Sequence, residues 1–404
     1  MTVECLIGDF RILRPKHQGE HAAAVRWLAS AHAHAEASRA GSGFDEEGFR
    51  SRMERLVSRY GCNPGNLAFR GFDMDDFIHT DWREMRVFNV ERDPNGAGMT
   101  VRMEAYQEVA DRAFESFYPE ADARPEWRAQ TADGTPVAWE PLQEPPAELI
   151  HVSCTGYTAP SAPQKLVGRR GWRGRTGVLH AYHMGCYASM PALRMATAFL
   201  GSPRAPGADG RIDIVHTEFC SLHLNPGQHL PEQLVVQSLF ADGHIRYSVR
   251  PADGGAGFRF LGVHEEIVPG TEPAIGWQLG DHGMRITLAR EVPDLIAGAL
   301  REFLERLFRR SGADPAEALE RGLFAVHPGG PRIIDKVAGL LGLEPGQVAH
   351  SRAVLKACGN MSSATLPHVW AGMLADPEVA PGTLVTGLAF GPGLTLYGAM
   401  LRKA

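Results

Sequence analysis

The sequence predicts an α/β protein in which a buried sheet is covered by helices on its faces. From Leu149 onward, short apolar and β-branched segments alternate with longer segments of helical periodicity. Several of the short segments are continuously apolar, which is typical of strands buried on both faces. Alternation of such strands with helices favours an architecture of packed layers.

The first third of the chain is predicted to be helical and charged. Three periodic segments indicate this: HAAAVRWLASAHAHAEAS, FDEEGFRSRMERLVSRYG and RMEAYQEVADRAFESFY. A polar, proline-rich stretch with Trp127 and Trp139 follows, from Pro119 to Glu148. We expect a long surface loop or flap there, because loops of this length are usually functional or disordered.

Strands and helices alternate through the rest of the chain. The predicted strands are LIHVSCTG, IDIVHTEFCSLHL, LVVQSLFAD, GMRITLA, GLFAVHP and TLVTGLAFGPG. The predicted helices are PALRMATAFL, VPDLIAGALREFLERLFRR and PRIIDKVAGLL. No internal repeat is visible, and no linker clearly divides the chain.

Composition restricts the class of protein. The 404 residues are 44% hydrophobic and 22% charged, which is ordinary for a globular chain, and the net charge of −6 argues against binding to nucleic acid or to an anionic membrane. The first residues have neither the basic start nor the apolar core of a signal peptide. The six cysteines are scattered, without CxxC pairs or His/Cys metal spacing. We expect a cytoplasmic protein with free thiols and no metal site.

Cys186 is a candidate nucleophile. It follows Gly185, which allows a sharp turn, and precedes a predicted helix from Tyr187 to Leu200 with Pro191 near its first turn. A helix N-terminus stabilises a thiolate, the reactive form of cysteine. A buried structural cysteine explains the same pattern, and this stretch alone leaves both interpretations open.

Two further segments supply candidate partners. His327 ends an apolar strand and precedes a glycine turn, where a neutral imidazole could deprotonate a thiol. Asn360 follows a glycine and precedes another helix, where its amide could donate to an oxyanion. Each also has a structural interpretation, as a core histidine and as a helix-capping asparagine.

The wording of seven segments resembles the type III polyketide synthase family, the chalcone-synthase-like branch of the thiolase fold. These segments, from about Ile150 to the C-terminus, are VSCTGYTAPSAPQKLV, YHMGCYASMPALRMA, EFCSLHL, SLFADG, AVHPGGPRIID, LKACGNMSSAT and AFGPGLTLYGAML. The resemblance implies a duplicated, five-layered αβαβα core and a homodimer. It also implies two thiolase-like halves, residues 1–245 with the cysteine and residues 246–404 with the histidine and asparagine.

The resemblance implies catalysis by Cys186, His327 and Asn360. Cys186 would take an acyl group from a phosphopantetheine thioester, and His327 would keep the thiol ionised. His327 and Asn360 would hold the carbonyl oxygen of the second substrate while its α-carbon becomes an enolate. No cofactor is expected beyond the phosphopantetheine of CoA or of an acyl carrier protein.

The resemblance also indicates the residues that form the cavity. Phe240 matches one of two gatekeeping phenylalanines, and Ile286 falls where the second stands, which would widen the passage for long acyl chains. Thr155 and Ala159 are predicted to line the wall, and His223 either lines the pocket or fills space. Further predicted cavity residues are the buried acid Glu218 and the turn Gly391, Pro392 and Gly393.

Basic residues near the tunnel are candidates for docking an acyl carrier protein or a CoA phosphate. The first cluster lies in KLVGRRGWRGRTG, and a solvated loop explains it equally well; its members are Lys165, Arg169, Arg170, Arg173 and Arg175. A second set lies where basic CoA-binding residues fall in plant members of the family, and it also resembles an ordinary helix face; its members are Arg50, Arg52, Arg55 and Arg59.

The nearest wording is that of bacterial stand-alone ketosynthases that join two β-ketoacyl chains, some forming α-pyrone antibiotics of the myxopyronin and corallopyronin type. Such a reaction needs no decarboxylation, and His327 is the expected base, with water or His223 as a substitute. The alternatives are a malonyl-CoA-extending synthase making alkylpyrones or resorcinols, a fatty-acid-type starter ketosynthase, and an inactive partner subunit. The acyl chains, their carrier and the form of the product are not specified by the sequence.

Overall fold

A computed structural model describes residues 4–120, 127, 129–132, 134–136, 144–201, 210–252 and 254–404. The strands are β1 (Cys5–Leu13), β2 (His17–Glu20), β3 (Phe69–Phe72), β4 (Glu148–Ser153), β5 (Gly177–Tyr182), β6 (Ile212–Glu218), β7 (Gly243–Pro251), β8 (Phe258–Ile267), β9 (Ile275–Gly280), β10 (Gly283–Leu288), β11 (Leu323–Val326), β12 (Leu384–Gly391) and β13 (Thr395–Lys403).

The helices alternate with these strands as the sequence predicts. They are α1 (His21–Ala40), α2 (Glu46–Tyr60), α3 (Met99–Phe117), α4 (Ala162–Arg169), α5 (Ser189–Phe199), α6 (Pro231–Leu239), α7 (Val292–Ser311), α8 (Pro315–Glu320), α9 (Pro331–Leu341), α10 (Ala349–Cys358) and α11 (Thr365–Ala375). Short 3₁₀ turns connect several of them.

Within the described residues, one mixed sheet carries the architecture, in the order β11-β12-β13-β8-β1-β7-β6-β4-β5. Its first half holds β1 and β4 to β7, with β4 parallel to both β5 and β6. Its second half holds β8 and β11 to β13, with β11 parallel to β12. Antiparallel pairing of β1 with β8 joins the halves.

The two central helices, α5 and α11, lie between the halves of the sheet. Helix α5 contacts β4 and β6 of the first half and β13 of the second, and α11 contacts β1, β7 and β11. Helix α11 is buried on nearly every side, as expected for a helix that packs between two sheets. Helices α3 and α7 cover the outer faces against β1 and β8 respectively. These contacts give the five layers of the predicted thiolase fold.

The three helices predicted in the first third are confirmed as α1, α2 and α3. The prediction missed β1, which lies at the centre of the sheet although helical segments follow it. The predicted strand LVVQSLFAD is wrong, because this segment belongs to α6. Pro231 begins that helix at a position where its missing N–H costs nothing. The CSLHL segment is a 3₁₀ turn after β6.

The expected join between residues 245 and 246 falls inside β7. Because β7 pairs with β1 and β6 of the first half, we place the join of the two proposed halves after Pro251. Half of the predicted insert from Pro119 to Glu148, including Trp139, lies outside the described residues. Trp127 is described, and its indole N–H donates to the backbone oxygen of Arg14.

Candidate active site

Cys186 lies in a 3₁₀ turn, Gly185–Tyr187, between β5 and α5. Gly185 has a φ of +78°, where a side chain is strained, and an added Cβ would lie 2.6 Å from Cδ of Pro392. The cysteine is therefore not the first residue of the helix, since α5 begins at Ser189. The field of a helix acts mainly on its first turn, so α5 stabilises a thiolate here less than the sequence suggests.

His327 directly follows β11 at the carboxyl end of the second half-sheet. Its backbone N–H donates to the oxygen of Leu388 at 2.7 Å, which fixes the start of the following glycine turn. The side chain is buried, and neither ring nitrogen has a hydrogen-bond partner among the described residues. Such unpartnered nitrogens are uncommon in a protein interior and are available to a substrate.

Asn360 lies between α10 and α11. Its backbone pairs with the segment around Phe240, since its N–H donates to Leu239 and its oxygen accepts from Ala241. Its side-chain oxygen accepts the N–H of Ser362 at 2.9 Å. That bond orients the amide, and its NH₂ group is the remaining donor of the side chain.

The three predicted residues, Cys186, His327 and Asn360, line one cavity. It lies at the carboxyl ends of the parallel strands, where ligands commonly bind in α/β proteins. The rest of the wall is mainly apolar, with Ile275, Val292, Ile296, Ile333 and Phe390 among its members. An apolar cavity with a few convergent polar groups is the usual form of a small-molecule site.

Burial keeps both members of the Cys186–His327 pair neutral. It raises the pKa of the Cys186 thiol to about 12, with a second contribution from the negative charge of Glu218, while hydrogen bonds with Ser362 and Asn360 act in the opposite direction. Burial also lowers the pKa of His327 to about 3. These directions do not support the expectation that His327 holds the resting thiol ionised. The proton must move when a substrate arrives.

Glu218 is buried behind the cavity and not on its surface, which corrects its predicted place. Its carboxylate accepts the N–H of Cys154 at 3.0 Å, the hydroxyl of Thr155 at 2.9 Å and the hydroxyl of Ser363. Burial raises the pKa of Glu218, and these hydrogen bonds oppose the shift. The side chain therefore holds Cys154, Thr155 and Ser363 in place next to the cavity.

The side chain of His223 connects two backbone segments by hydrogen bonds. Its Nδ1 accepts the N–H of Met284 at 3.2 Å, so its Nε2 carries the proton and donates to the oxygen of Thr155 at 2.7 Å. Burial lowers the pKa of His223 to about 3. Because both nitrogens are occupied, His223 is not a substitute base. It does line a second cavity, in keeping with one of its two predicted roles.

Of the two predicted wall residues after β4, one is placed correctly. Thr155 is buried and lines the cavity. Ala159 is exposed and does not line it, so that prediction is wrong. The chain between them leads away from the site to the surface at Pro160.

Phe240 and Ile286 lie between the first cavity and a second one. Cys220 and Trp277 share this position, so four side chains form the wall between the two spaces. The structure thus places both predicted gate residues in this shared wall. Trp277 is fixed there, because its indole N–H donates to the oxygen of Cys154 at 2.8 Å.

The predicted Gly391–Gly393 turn packs against the nucleophile turn. Gly391 and Pro392 line the cavity. An added Cβ at Gly391 would lie 2.4 Å from the ring of Tyr187, so only glycine allows this approach. Gly393 has a φ of +116° and does not line the cavity. Its part is to turn the chain from β12 into β13.

The first basic cluster is largely neutralised by neighbouring acids. Lys165 pairs with Asp111 at 2.8 Å, and Arg169 pairs with Glu115 at 2.5 Å. Arg170 contacts Glu115 and Glu120, and Arg175 contacts Glu144. Arg173 is the remaining member, exposed and without an ion pair among the described residues. This pairing favours the solvated-surface interpretation.

A different set of arginines lies at the mouth of the site. An outer cavity shares Leu288, Val292, Gly329 and Ile333 with the inner one. Three exposed arginines line it, and none forms an ion pair within the described part of the chain; they are Arg59, Arg290 and Arg332. Of the second predicted basic set, only Arg59 is there, whereas Arg50 pairs with Glu47 at 2.5 Å.

The sequence analysis missed several residues of the site. Cys154, Cys220 and Ser362 line the inner cavity, and Arg290 and Arg332 line its mouth. Their positions gave a usable signal, since each lies within four residues of a predicted site residue or of the glycine turn after His327. Across the described segments, no group of three potential metal ligands is present, and no helix is long and apolar enough to cross a membrane.

Comparison with known proteins gives a consistent picture. Residues 261–404 match the family model of chalcone and stilbene synthases, C-terminal domain. The chain is 30% identical over 247 residues to 1,3,6,8-tetrahydroxynaphthalene synthase of Streptomyces griseus, covering 61% of this chain and 64% of that protein. It is 29% identical over 272 residues to type III polyketide synthase A of Arabidopsis thaliana, covering 66% and 68%. The aligned regions thus span about two thirds of these relatives.

Solved structures match over nearly the whole chain. PKS-I from the brown alga Ectocarpus siliculosus superposes with a TM-score of 0.79 at 20% identity, covering 100% of this chain and 99% of that one. The tetrahydroxynaphthalene synthase of Streptomyces coelicolor gives 0.73 at 22% identity, covering 98% and 99%. These likenesses establish the thiolase fold. Taken with the sequence matches, they show that the chain is similar to type III polyketide synthases and to chalcone and stilbene synthases.

Proposed function

We propose that the protein is a ketosynthase that forms a carbon–carbon bond between two acyl thioesters through an acyl-Cys186 intermediate. One observation carries the proposal. The thiol of Cys186, the unpartnered ring of His327 and the amide of Asn360 meet in one apolar cavity. A nucleophile, a proton acceptor and an oxyanion donor are the groups that acyl transfer needs. The named relatives are acyltransferases of this family.

Acylation of Cys186 is the first step. As the thiol attacks the thioester carbonyl, its proton passes to His327, and the C–S bond to the carrier breaks. The carrier thiolate leaves and takes up that proton. An anion in the cavity stabilises the imidazolium and raises the pKa of His327 from its resting value of about 3. The imidazole therefore becomes a competent base only when negative charge develops beside it.

Carbon–carbon bond formation follows on the acyl-enzyme. The second substrate is held with its thioester oxygen between His327 and Asn360, which stabilise the enolate formed when its α-carbon loses CO₂ or a proton. In the second case, the free nitrogen of the neutral His327 ring takes up the proton and returns it to the departing Cys186 sulfur. The α-carbon attacks the acyl carbonyl, and the Cys186 sulfur leaves as thiolate. For a β-ketoacyl substrate, the α-proton lies between two carbonyls and is acidic. We propose this chain-joining form, followed by closure of an enol oxygen on the remaining thioester to give an α-pyrone.

The two cavities support the joining of two chains. A second cavity lies beyond Phe240 and Ile286, next to the inner cavity that holds Cys186. An isoleucine at the gate leaves more room than the phenylalanine expected from the family resemblance. A synthase that extends a chain with malonyl-CoA, the alternative, needs room for one growing chain only.

Delivery on a phosphopantetheine carrier is part of the proposal. Arg59, Arg290 and Arg332 face the outer cavity, and guanidinium groups bind phosphate well. We therefore propose the mouth, rather than the cluster from Lys165 to Arg175, as the contact for CoA phosphates or for an acidic carrier protein. A homodimer remains part of the proposal on the family resemblance.

The test supplies two β-ketoacyl pantetheine thioesters without malonyl-CoA. Mass spectrometry then follows the acyl adduct on Cys186 and a product of pyrone mass, with Cys186→Ala as the control. A joined product that is absent with the variant supports chain joining. An adduct that advances only after malonyl-CoA is added would contradict it and support the extending synthase.

Replacing Ile286 by phenylalanine should narrow the passage. We expect kcat/KM for long-chain thioesters to fall by about tenfold or more, because the larger side chain adds volume to a packed wall and leaves less room for a long chain. An acetyl thioester should be processed normally. The matched control is Thr287→Phe, because Thr287 is exposed on the next position of β10. Equal loss for short and long chains would show that Ile286 does not gate chain length.

Replacing Arg290 and Arg332 together by alanine should weaken binding of phosphate-bearing carriers. We expect KM for an acyl-CoA to rise about tenfold with kcat unchanged, since each charge-assisted hydrogen bond contributes to binding only. A pantetheine thioester without phosphates should be unaffected. Arg173→Ala is the control from the first cluster. A larger increase in KM from Arg173→Ala than from the double variant would indicate that the carrier binds at the first basic cluster.

A further inference from the structure

A chain of buried side chains leads from the central sheet to the catalytic turn. Tyr247 and His216 stack, and the hydroxyl of Tyr247 lies 3.3 Å from Nε2 of His216. Nδ1 of His216 lies 2.9 Å from the hydroxyl oxygen of Ser363. The hydroxyl of Ser363 in turn donates to Glu218. His216 and Ser363 have no accessible surface, so solvent cannot replace these bonds.

The direction of the hydrogen bonds follows from the carboxylate at the end. Because Ser363 gives its proton to Glu218, its oxygen must accept from His216. His216 therefore carries its proton on Nδ1, and Nε2 accepts from Tyr247. Burial lowers the pKa of His216 to about 3, with the neighbouring His368 adding to the effect, so this neutral tautomer persists. His216 thus works as a fixed donor.

The position of His216 on its strand explains the arrangement. His216 and Glu218 are two residues apart on β6, so their side chains point to the same face of the sheet. Ser363 lies over that face, in the 3₁₀ turn Ser362–Ala364 that begins α11. One serine hydroxyl therefore ties the turn to both strand residues.

The turn held in this way also faces the thiol. Ser362 has a φ of +51°, which is uncommon for a residue with a side chain and persists only where the surroundings enforce it. The 362–364 turn packs against the Gly185–Tyr187 turn, so Ser362 and Asn360 line the same cavity as Cys186. The N–H of Ser362 fixes the Asn360 side chain. A shift of this turn would move both groups away from the sulfur.

We propose that His216 is a positioning residue: through Ser363 it holds the 362–364 turn, and with it Ser362 and Asn360, against the thiol of Cys186. It touches neither the substrate nor the reacting atoms. The inference rests on the proposed function only in giving Cys186 a catalytic purpose. The geometric claim concerns the reactivity of that thiol and can be measured without substrate.

Two substitutions of His216 separate positioning from packing. In His216→Asn the amide nitrogen takes the place of Nδ1 and still donates to Ser363, whereas in His216→Gln it takes the place of Nε2 and cannot. Alkylation of Cys186 by iodoacetamide is followed by peptide mass mapping, which distinguishes it from Cys154 and Cys220. We expect His216→Asn to react at nearly the wild-type rate and His216→Gln about tenfold more slowly.

The slower alkylation expected for His216→Gln has a defined cause, and the effects of substituting His216 and Ser363 should be coupled. Movement of Ser362 and Asn360 away from the sulfur removes support for the thiolate, so less of it is present at a given pH. Ser363→Ala breaks the link without enlarging the site, and we expect it to slow alkylation to the rate of His216→Gln. In the Ser363→Ala background, the Asn and Gln variants should then react alike.

Three outcomes would overturn the inference. The first is equal alkylation rates for His216→Asn and His216→Gln with equal loss of thermal stability. The second is additive effects of His216→Gln and Ser363→Ala. The third is a wild-type rate for Ser363→Ala, which is the variant least able to disturb folding. Failure of the chain-joining reaction would leave all three measurements interpretable, because none of them uses an acyl substrate.

Discussion

Replacing Cys186 by serine is expected to lower turnover by about 10⁴-fold or more and to remove the acyl adduct, whereas Cys154→Ser should retain both. The thiolate is the attacking form of cysteine, and a serine hydroxyl at this position has no comparable ionised form at neutral pH. Cys154 is the matched control because it lines the same cavity, and its sulfur accepts the N–H of Gly185 at 3.1 Å. Serine preserves that acceptor.

The measurement is intact-protein mass spectrometry after mixing with an acyl-pantetheine, alongside steady-state product formation. An adduct that persists in Cys186→Ser and disappears in Cys154→Ser would exchange the roles of the two cysteines. Similar losses in both variants would indicate that the effect comes from disturbing the Gly185 turn. Either result would contradict the assignment of Cys186 as nucleophile.

The resting state of Cys186 determines how its reactivity depends on pH. Burial and the charge of Glu218 raise the pKa of the thiol to about 12, so below that pH the neutral form predominates. The rate of iodoacetamide alkylation should therefore rise about tenfold per pH unit through pH 7 to 9, because it follows the thiolate fraction. A plateau below about pH 8.5 would instead indicate a thiolate already paired with an imidazolium in the free enzyme.

The sequence was sufficient to predict the layered fold and the three residues that share the cavity. Strand ends and glycine turns are local features, and Cys186, His327 and Asn360 each follow one of them. β5 and β11 lie at opposite ends of the strand order, and packing of the two halves of the sheet around α5 and α11 brings these turns together. The closeness of these three residues follows from the topology of the fold, and the family resemblance made it possible to predict that topology.

Ionisation of the pair could not be predicted in the same way. A glycine followed by a helical pattern suggests a helix N-terminus at Cys186, yet the chain first makes a 3₁₀ turn and α5 begins at Ser189. Burial of both side chains depends on the whole surrounding wall, which no local pattern specifies. The prediction of an ionised resting thiol therefore relied on the helix N-terminus and on His327, and omitted desolvation.

Charged and polar surface residues were the least predictable. Lys165, Arg169 and Arg170 look like a basic patch in the sequence. Their acidic partners, Asp111 and Glu115, lie in helix α3, more than fifty residues away along the chain. His223 and Glu218 were predicted near the cavity, yet their hydrogen bonds direct them to backbone groups behind or beside it. Such partners are known only from tertiary contacts.

Replacing Asn360 by alanine is expected to lower the condensation rate by about 10²–10³-fold while acylation of Cys186 continues. Removal of one oxyanion donor typically has an effect of this size. The donor is needed when charge develops on the thioester oxygen of the second substrate, which happens only after the acyl-enzyme has formed. The variant should therefore accumulate acyl-Cys186, and single-turnover experiments that add the two thioesters in sequence will separate the steps.

Asn360→Asp distinguishes the lost donor from a disturbed turn. The side-chain oxygen of Asn360 accepts the N–H of Ser362 at 2.9 Å, and a carboxylate keeps that bond. It has no amide proton, however, and it places negative charge where the enolate forms. If donation is the role of Asn360, Asn360→Asp must condense at least as slowly as Asn360→Ala despite an intact turn. Recovery of condensation in Asn360→Asp would show that anchoring Ser362, and not stabilising the oxyanion, is what the residue contributes.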